Sequence, residues 1–238
     1  MGVVDTLLLR WHRLRDRFLD LLFPPRCVGC RRVGAWLCEQ CLDQLSPVSS
    51  PNCVRCGDKV DGGELCERCR VSPLRIERIR SVLFFEGVLR DAMHHLKYRR
   101  RQALAEPLGE VMAAFWMQSP VPVDVLVPVP LHKSRLRERG YNQAALLARQ
   151  MARRTGLPVD ESLLARQRAT ASQVTLGAAQ RRENVRGAFV CPGDAPVDKQ
   201  ILLIDDVCTT GATLEACAQA LYQAGARSVQ ALTLARAC

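Results

Sequence analysis

Apolar positions recur along the chain with two periods. Leu7, Trp11, Leu14, Phe18, Leu21 and Leu22 fall at helical spacing, with Arg10, Arg13, Arg17 and Asp20 between them. The spacing predicts an amphipathic helix over 6–22, stopped by Pro24-Pro25. Farther on, short apolar runs alternate with longer helical patterns. Strands are predicted at 81–85, 123–129, 161–164, 201–204 and 229–234, and helices over 88–98, 103–117, 142–154 and 212–224. Such alternation predicts an α/β fold, a mainly parallel sheet flanked by helices on both faces. Ligands of these sheets bind at the carboxyl ends of the strands. Ser72-Pro73 marks a boundary, so the chain divides into a helix at 1–23, a small Cys-rich module at 24–73 and a sheet domain at 76–238.

The module carries four Cys-x-x-Cys pairs: Cys27/Cys30, Cys38/Cys41, Cys53/Cys56 and Cys66/Cys69. At that spacing a tight turn brings two thiolates to one side, and four sulfurs close a tetrahedral zinc site. Eight sulfurs suit two structural zincs. Pairing of neighbours in sequence is the simplest arrangement, and a crossed one is also compatible with the spacing. A redox role expects a single pair at a helix start after a strand, which this run lacks. Cys191, Cys208, Cys217 and Cys238 stand outside the pairs and read as small core or loop residues.

The richest chemistry lies in Ile201-Leu202-Leu203-Ile204-Asp205-Asp206-Val207-Cys208-Thr209-Thr210-Gly211-Ala212-Thr213. A buried strand leads to two adjacent carboxylates, then a small hydroxyl- and glycine-bearing loop that opens a helix. Loop amides, Thr hydroxyls and a helix N-terminus suit a phosphate. The carboxylates repel phosphate and accept from sugar hydroxyls. A ligand with a phosphate at one end and a diol beside it fits both halves.

Net charge is +10 over 238 residues, which favours anionic partners. Aromatic residues are only 5%, which weakens a case for recognition by base stacking. The cations concentrate in 96–101 and 133–139. The second cluster follows the strand that ends Val127-Pro128-Val129-Pro130, and a loop with several cations there suits a diphosphate. The long polar stretch 166–186 is placed to cover a ligand. No secretory signal and no apolar run of membrane-spanning length is visible, so a cytoplasmic protein is expected.

The order of these pieces resembles the ComF family, the ComF/GntX-type phosphoribosyltransferase-like proteins with an N-terminal double zinc ribbon. Four Cys-x-x-Cys pairs come first, then Leu96-Lys97-Tyr98, Val-Pro-Val-Pro with Arg139-Gly140-Tyr141-Asn142-Gln143, then Gln173, Arg181 and Asn184, and finally Asp-Asp-Val-x-Thr-Thr-Gly. The resemblance covers nearly all the chain from Phe23 onward. It implies a type I phosphoribosyltransferase-like fold and a ligand such as phosphoribosyl diphosphate (PRPP) with magnesium. It implies that Asp205 and Asp206 hold the ribose diol, and that Thr209, Thr210, Gly211, Ala212 and Thr213 hold the 5′-phosphate. Lys133, Arg135, Arg139 and Lys97 would then serve the diphosphate.

Two functions follow from the resemblance. One is phosphoribosyl transfer to an unknown acceptor. The other is a non-catalytic competence adaptor that binds single-stranded DNA, with the zinc ribbons and 96–101 on the phosphates. The N-terminal helix is a candidate surface for a protein partner. No aromatic or amide cluster for reading a base stands out; His94 and His95 read as helix-surface or packing residues. The chain ends directly after its last strand, so only the zinc module or 81–117 is expected to act as a hood.

Overall fold

A computed structural model describes residues 24–49, 51–168 and 178–237. The expected N-terminal helix and Gln173 lie outside these residues. Two short helices sit in the Cys-rich module, α1 (Glu39–Leu42) and α2 (Glu67–Val71). The sheet domain runs β1 (Arg78–Phe84), α3 (Gly87–Tyr98), a 3-10 turn (Gln102–Leu104), α4 (Ala105–Gln118), β2 (Val125–Pro128), α5 (Lys133–Arg139) and α6 (Gln143–Thr155). It continues through β3 (Ala165–Arg166), α7 (Ala178–Val185), β4 (Phe189–Val190), β5 (Gln200–Cys208), α8 (Ala212–Gln223) and β6 (Ser228–Arg236).

The four long strands form one parallel sheet in the order β1-β6-β5-β2. Alternation along each strand divides the interior into two layers. Leu202 and Ile204 of β5, with Leu232 and Leu234 of β6, face a core shared with α3, α4 and α6. Ile201 and Leu203, with Val229 and Ala231, face a second core with α8. Both faces are therefore covered, which is why these strands read as continuous apolar runs.

Several local expectations change. The cationic segment 133–139 is not an open loop but the short helix α5, capped by the His132 ring accepting from the Ser134 amide and ended by Gly140 at φ +85°. The strand expected at 161–164 is absent; β3 starts one residue later and pairs antiparallel with β4. Instead, Val159 makes a single parallel bridge to Leu126 beside β2. Asp160 then accepts from the Ser162 and Leu163 amides at 2.9 Å, which turns the chain away from the sheet. The polar stretch contains α7, so it is partly helical. The carboxylates do not follow the strand: β5 runs on through them to Cys208, because β6 pairs with it as far as Arg236.

The Cys-rich module packs against β1. Pro47 forms an antiparallel bridge with Leu83, the Val48 amide donates to the Val82 carbonyl at 3.0 Å, and the Phe84 amide donates to the Ser46 carbonyl at 2.8 Å. This covers an edge that would otherwise present unpaired backbone groups. Cys27, Leu37 and Cys41 join the α3–α4–α6 core, whereas Cys53, Cys56, Val60 and Cys69 form a small cluster of their own.

Candidate functional site

Neighbouring Cys-x-x-Cys pairs close two separate clusters. Cys27, Cys30, Cys38 and Cys41 form one and Cys53, Cys56, Cys66 and Cys69 the other, with all four sulfurs of each within 4.8 Å of one another. That spread fits one tetrahedral metal, whose sulfurs at ~2.3 Å from zinc stand just under ~4 Å apart. The arrangement is the uncrossed one. The two knuckles repeat the same backbone. The amide of Arg31 (φ +63°) donates to the Cys27 carbonyl at 2.8 Å, and that of Gly57 (φ +74°) to the Cys53 carbonyl at 2.9 Å. Cys38 and Cys66 each cap a one-turn helix. Four thiolates leave no open coordination position, so these are structural zinc sites.

At the carboxyl end of the sheet, β2 stops pairing with β5 at Ile204, and Asp205 and Asp206 follow on the freed edge. Asp206 is 5% exposed and its Oδ2 lies 2.9 Å from Lys97 Nζ. Lys97 reaches it from the last turn of α3, where the Tyr141 hydroxyl donates to the carbonyl of buried Leu96. Asp205 Oδ1 accepts from the Asp206 amide at 2.8 Å. Burial and the charge of Asp206 push the Asp205 carboxyl up to about 7, against the smaller opposing pull of the Asp206 amide, Lys97 and Arg166.

One concavity is lined by Lys97, the partner of Asp206, and another by Asp205. On the Lys97 side a cavity of about 270 Å³ is lined by Lys97, Tyr98, Arg100, Arg135, Glu138 and Arg139. Four cations against one carboxylate make it an anion pocket. The Arg139 guanidinium lies 5.4 Å from the Tyr98 ring centroid and donates to Gln143 Oε1. On the other side a small hollow is lined by Asp205, Val207, Cys208, Thr209, Gly211, Ala212, Thr213 and Leu214. Gly211 caps α8 at φ +76°, a backbone that calls for glycine, and a Cβ there would lie 2.9 Å from Ile79 Cδ1 and have to shift the end of that side chain.

Two expected ligand residues stand apart from these hollows. Lys133, at the start of α5, is exposed and does not line the anion pocket. Thr210 does not line the small hollow beside Asp205; its carbonyl accepts from Arg68 Nη1 at 3.0 Å. The side chains of Arg181 and Arg182 lie outside the described residues. Two residues take places that sequence reasoning did not give them: Arg100, read only within the basic cluster 96–101, and Arg166, read only within the covering stretch 166–186. Arg100 lines the anion pocket with a left-handed backbone, φ +54°, a strain that no residue pattern reveals. Arg166 stacks 5.4 Å from the Phe189 ring centroid, close enough to Asp205 and Arg135 for their charges to act on it. Cys208 is 3% exposed, with its thiol pushed up to about 12 by burial and by Asp205, and its Sγ accepts from Arg236 Nη1 at 3.0 Å.

A double zinc ribbon family model matches residues 18–70, and a phosphoribosyl transferase domain model matches 141–237. "DNA utilization protein YhgH" of Escherichia coli K12 is 33% identical over 227 residues, 91% of this chain and 99% of that protein. "Competence protein F" of Haemophilus influenzae is 29% identical over 89% of this chain and 97% of its own length. "Competence protein ComFC" of Bacillus subtilis is 29% identical over 84% of each chain. The chain belongs to the ComF family. This ComF-family chain joins a double zinc ribbon to a phosphoribosyltransferase-type sheet. A Bacillus subtilis glutamine PRPP amidotransferase structure overlaps 60% of the ComF chain and 30% of its own, at 19% identity and a TM-score of 0.43. That likeness is too slight to bear on the site.

Proposed function

We propose that this ComF protein binds PRPP with magnesium across Asp205 and Asp206. One observation carries the reading: Asp206 pairs with Lys97, which lines a pocket of four cations, and the adjacent Asp205 lines a glycine-capped hollow at a helix N-terminus. PRPP has the same order of groups, with a diphosphate, a ribose diol and a 5′-phosphate. In this reading the diol replaces Lys97 on Asp206, and Lys97 turns to the diphosphate beside Arg135, Arg139 and Arg100. Thr209, Gly211, Ala212 and Thr213 take the 5′-phosphate, with Thr210 shaping the loop through its backbone. Lys133 serves from outside the pocket. No all-protein cage is needed for magnesium, which keeps its waters and binds mainly through phosphate oxygens.

In a transfer, the acceptor's lone pair bonds to ribose C1 as the C1–oxygen bond breaks, the diphosphate leaves with that bond's electron pair, and the four cations of the pocket stabilise its charge. The proposed units are the ribbon module at 24–73 and the sheet domain at 76–238. Calorimetry with PRPP and magnesium tests the reading. Binding is expected in the micromolar range. It should fall at least tenfold in Asp206→Asn and in Asp205→Asn, since each loses a diol acceptor. Absent heat with the unaltered protein, at any magnesium concentration, sinks the proposal.

A second reading, a single-stranded DNA adaptor, has its own support. Arg101 lies 4.5 Å from the Trp36 ring centroid, joining the basic cluster to the first zinc knuckle, and Tyr98 is 63% exposed beside them. Cations interleaved with aromatic rings suit a single strand. Two relatives carry competence in their names and a third DNA utilization. Arg99→Glu with Arg101→Glu spares the anion pocket. The pair should weaken oligonucleotide binding and flatten its salt dependence; unchanged affinity at low salt argues against this role.

A further inference from the structure

The two zinc knuckles repeat in sequence but differ at one telling place. The second pair of the first knuckle reads Cys38-Glu39-Gln40-Cys41, and that of the second reads Cys66-Glu67-Arg68-Cys69. Gln40 is exposed. Arg68, at the matching position, reaches out of its knuckle into the sheet domain. Its Nη1 donates to the Thr210 carbonyl at 3.0 Å, and its Nη2 donates to Asp58 Oδ2 at 2.8 Å. The other oxygen of Asp58 pairs with Arg236 at the end of β6. Arg236 is itself 4% exposed and donates to the Cys56 carbonyl and to Cys208 Sγ, both at 3.0 Å. Thus metal-ligand backbone, two guanidiniums and one carboxylate form a chain that ends on the loop between Cys208 and Thr210.

A second route reaches the same loop by packing. The Ile79 amide donates to the Arg55 carbonyl inside the second knuckle at 2.8 Å, while Gly57 lies so close that a Cβ there would stand 2.9 Å from the Ile79 carbonyl oxygen. The same Ile79 presses its Cδ1 against Gly211, the residue whose left-handed backbone shapes the loop. The first knuckle sits elsewhere, in the α3–α4–α6 core.

We propose that the second zinc knuckle is the rigid backing of the 209–213 loop, with Arg68 as the positioning residue. Only this knuckle's metal then preorganises the phosphate-binding amides. An oriented loop donates to an anion without first ordering itself, so its rigidity appears as affinity. The ligand part of this inference rests on the PRPP reading; the loop part stands without it.

The test uses the full chain with zinc bound. Arg68→Gln places in the second knuckle the residue the first already carries, and Arg68→Lys keeps the charge but cannot span Thr210 and Asp58 together. Gln40→Ala is the control. Zinc is counted by native mass spectrometry, and amide exchange of 209–213 is followed without ligand. Both Arg68 variants are expected to retain two zincs while exchange of these amides rises about tenfold or more. The affinity for PRPP with magnesium should fall about tenfold, and Gln40→Ala should match the unaltered protein. Unchanged loop exchange in a variant that keeps both zincs overturns the proposal. If loop exchange rises but the unaltered protein fails to bind PRPP, the ligand reading fails and the backing role stands. Loss of zinc from Arg68→Gln alone transfers the decision to Arg68→Lys.

Discussion

Asp205 has a carboxyl raised to about 7, first by burial and then by the charge of Asp206, with Lys97 and Arg166 opposing. An unfolded Asp titrates near ~3.9. Between these values the folded state holds the proton more tightly, so stability falls as pH rises from about 4 through about 7. Asp205→Asn removes that dependence. Thermal unfolding should show a variant more stable than the unaltered protein at pH 8 and indistinguishable or less stable near pH 4.5; a parallel pair of curves contradicts the shifted carboxyl. The cost of keeping two acids adjacent is thus set at single residues, and the Asp206 amide, Lys97 and Arg166 offset part of it. The adjacent acids were legible in the sequence. Their partner Lys97 entered only by resemblance, because α3 and β5 are distant in the chain and no spacing rule joins them.

At the scale of elements, the 209–213 loop works because a strand, a glycine and a helix meet at one point. Gly211 holds φ +76°, with Ile79 Cδ1 of β1 2.9 Å from where a Cβ would stand. Gly211→Ala is expected to cost about 1–2 kcal/mol for the left-handed backbone alone, more with the clash. Chemical denaturation measures that loss, and PRPP affinity should fall alongside it. A stability change below a few tenths of a kcal/mol would mean that the turn relaxes freely. Alternating patterns gave the order of strands and helices well, since both cores repeat with the periods of their elements. They failed at short elements. In α5 no residue is buried, so its helix rests on the His132 cap and the Gly140 stop rather than on an apolar stripe. In β3 and β4, two residues each, there is too little chain for a period to appear.

At the scale of the whole molecule, the ribbon module and sheet domain share a core: Cys27, Leu37 and Cys41 pack with Leu89 and Met93 of α3. Metal loss therefore should not melt the ribbons alone. Native mass spectrometry is expected to find two zincs per chain. A strong chelator should lower the thermal midpoint by roughly 10 °C or more, because zinc-ribbon binding energy is folding energy. A sheet-domain transition that stays at the same temperature after both zincs leave would contradict the shared core. The sequence by itself determined what depends on local pattern: two four-sulfur sites from Cys-x-x-Cys spacing, a parallel α/β sheet from alternating periods, and a strand, two adjacent acids and a glycine-bearing loop from one continuous run. Tertiary structure alone decided what depends on meeting across the chain. It brought Lys97 to Asp206, Arg100 into the anion pocket and Arg68 to Thr210, and it chose the uncrossed pairing of the cysteines. These contacts are set by how layers stack and which edges are covered, and a side chain's neighbours across 100 residues leave no period in the chain to read.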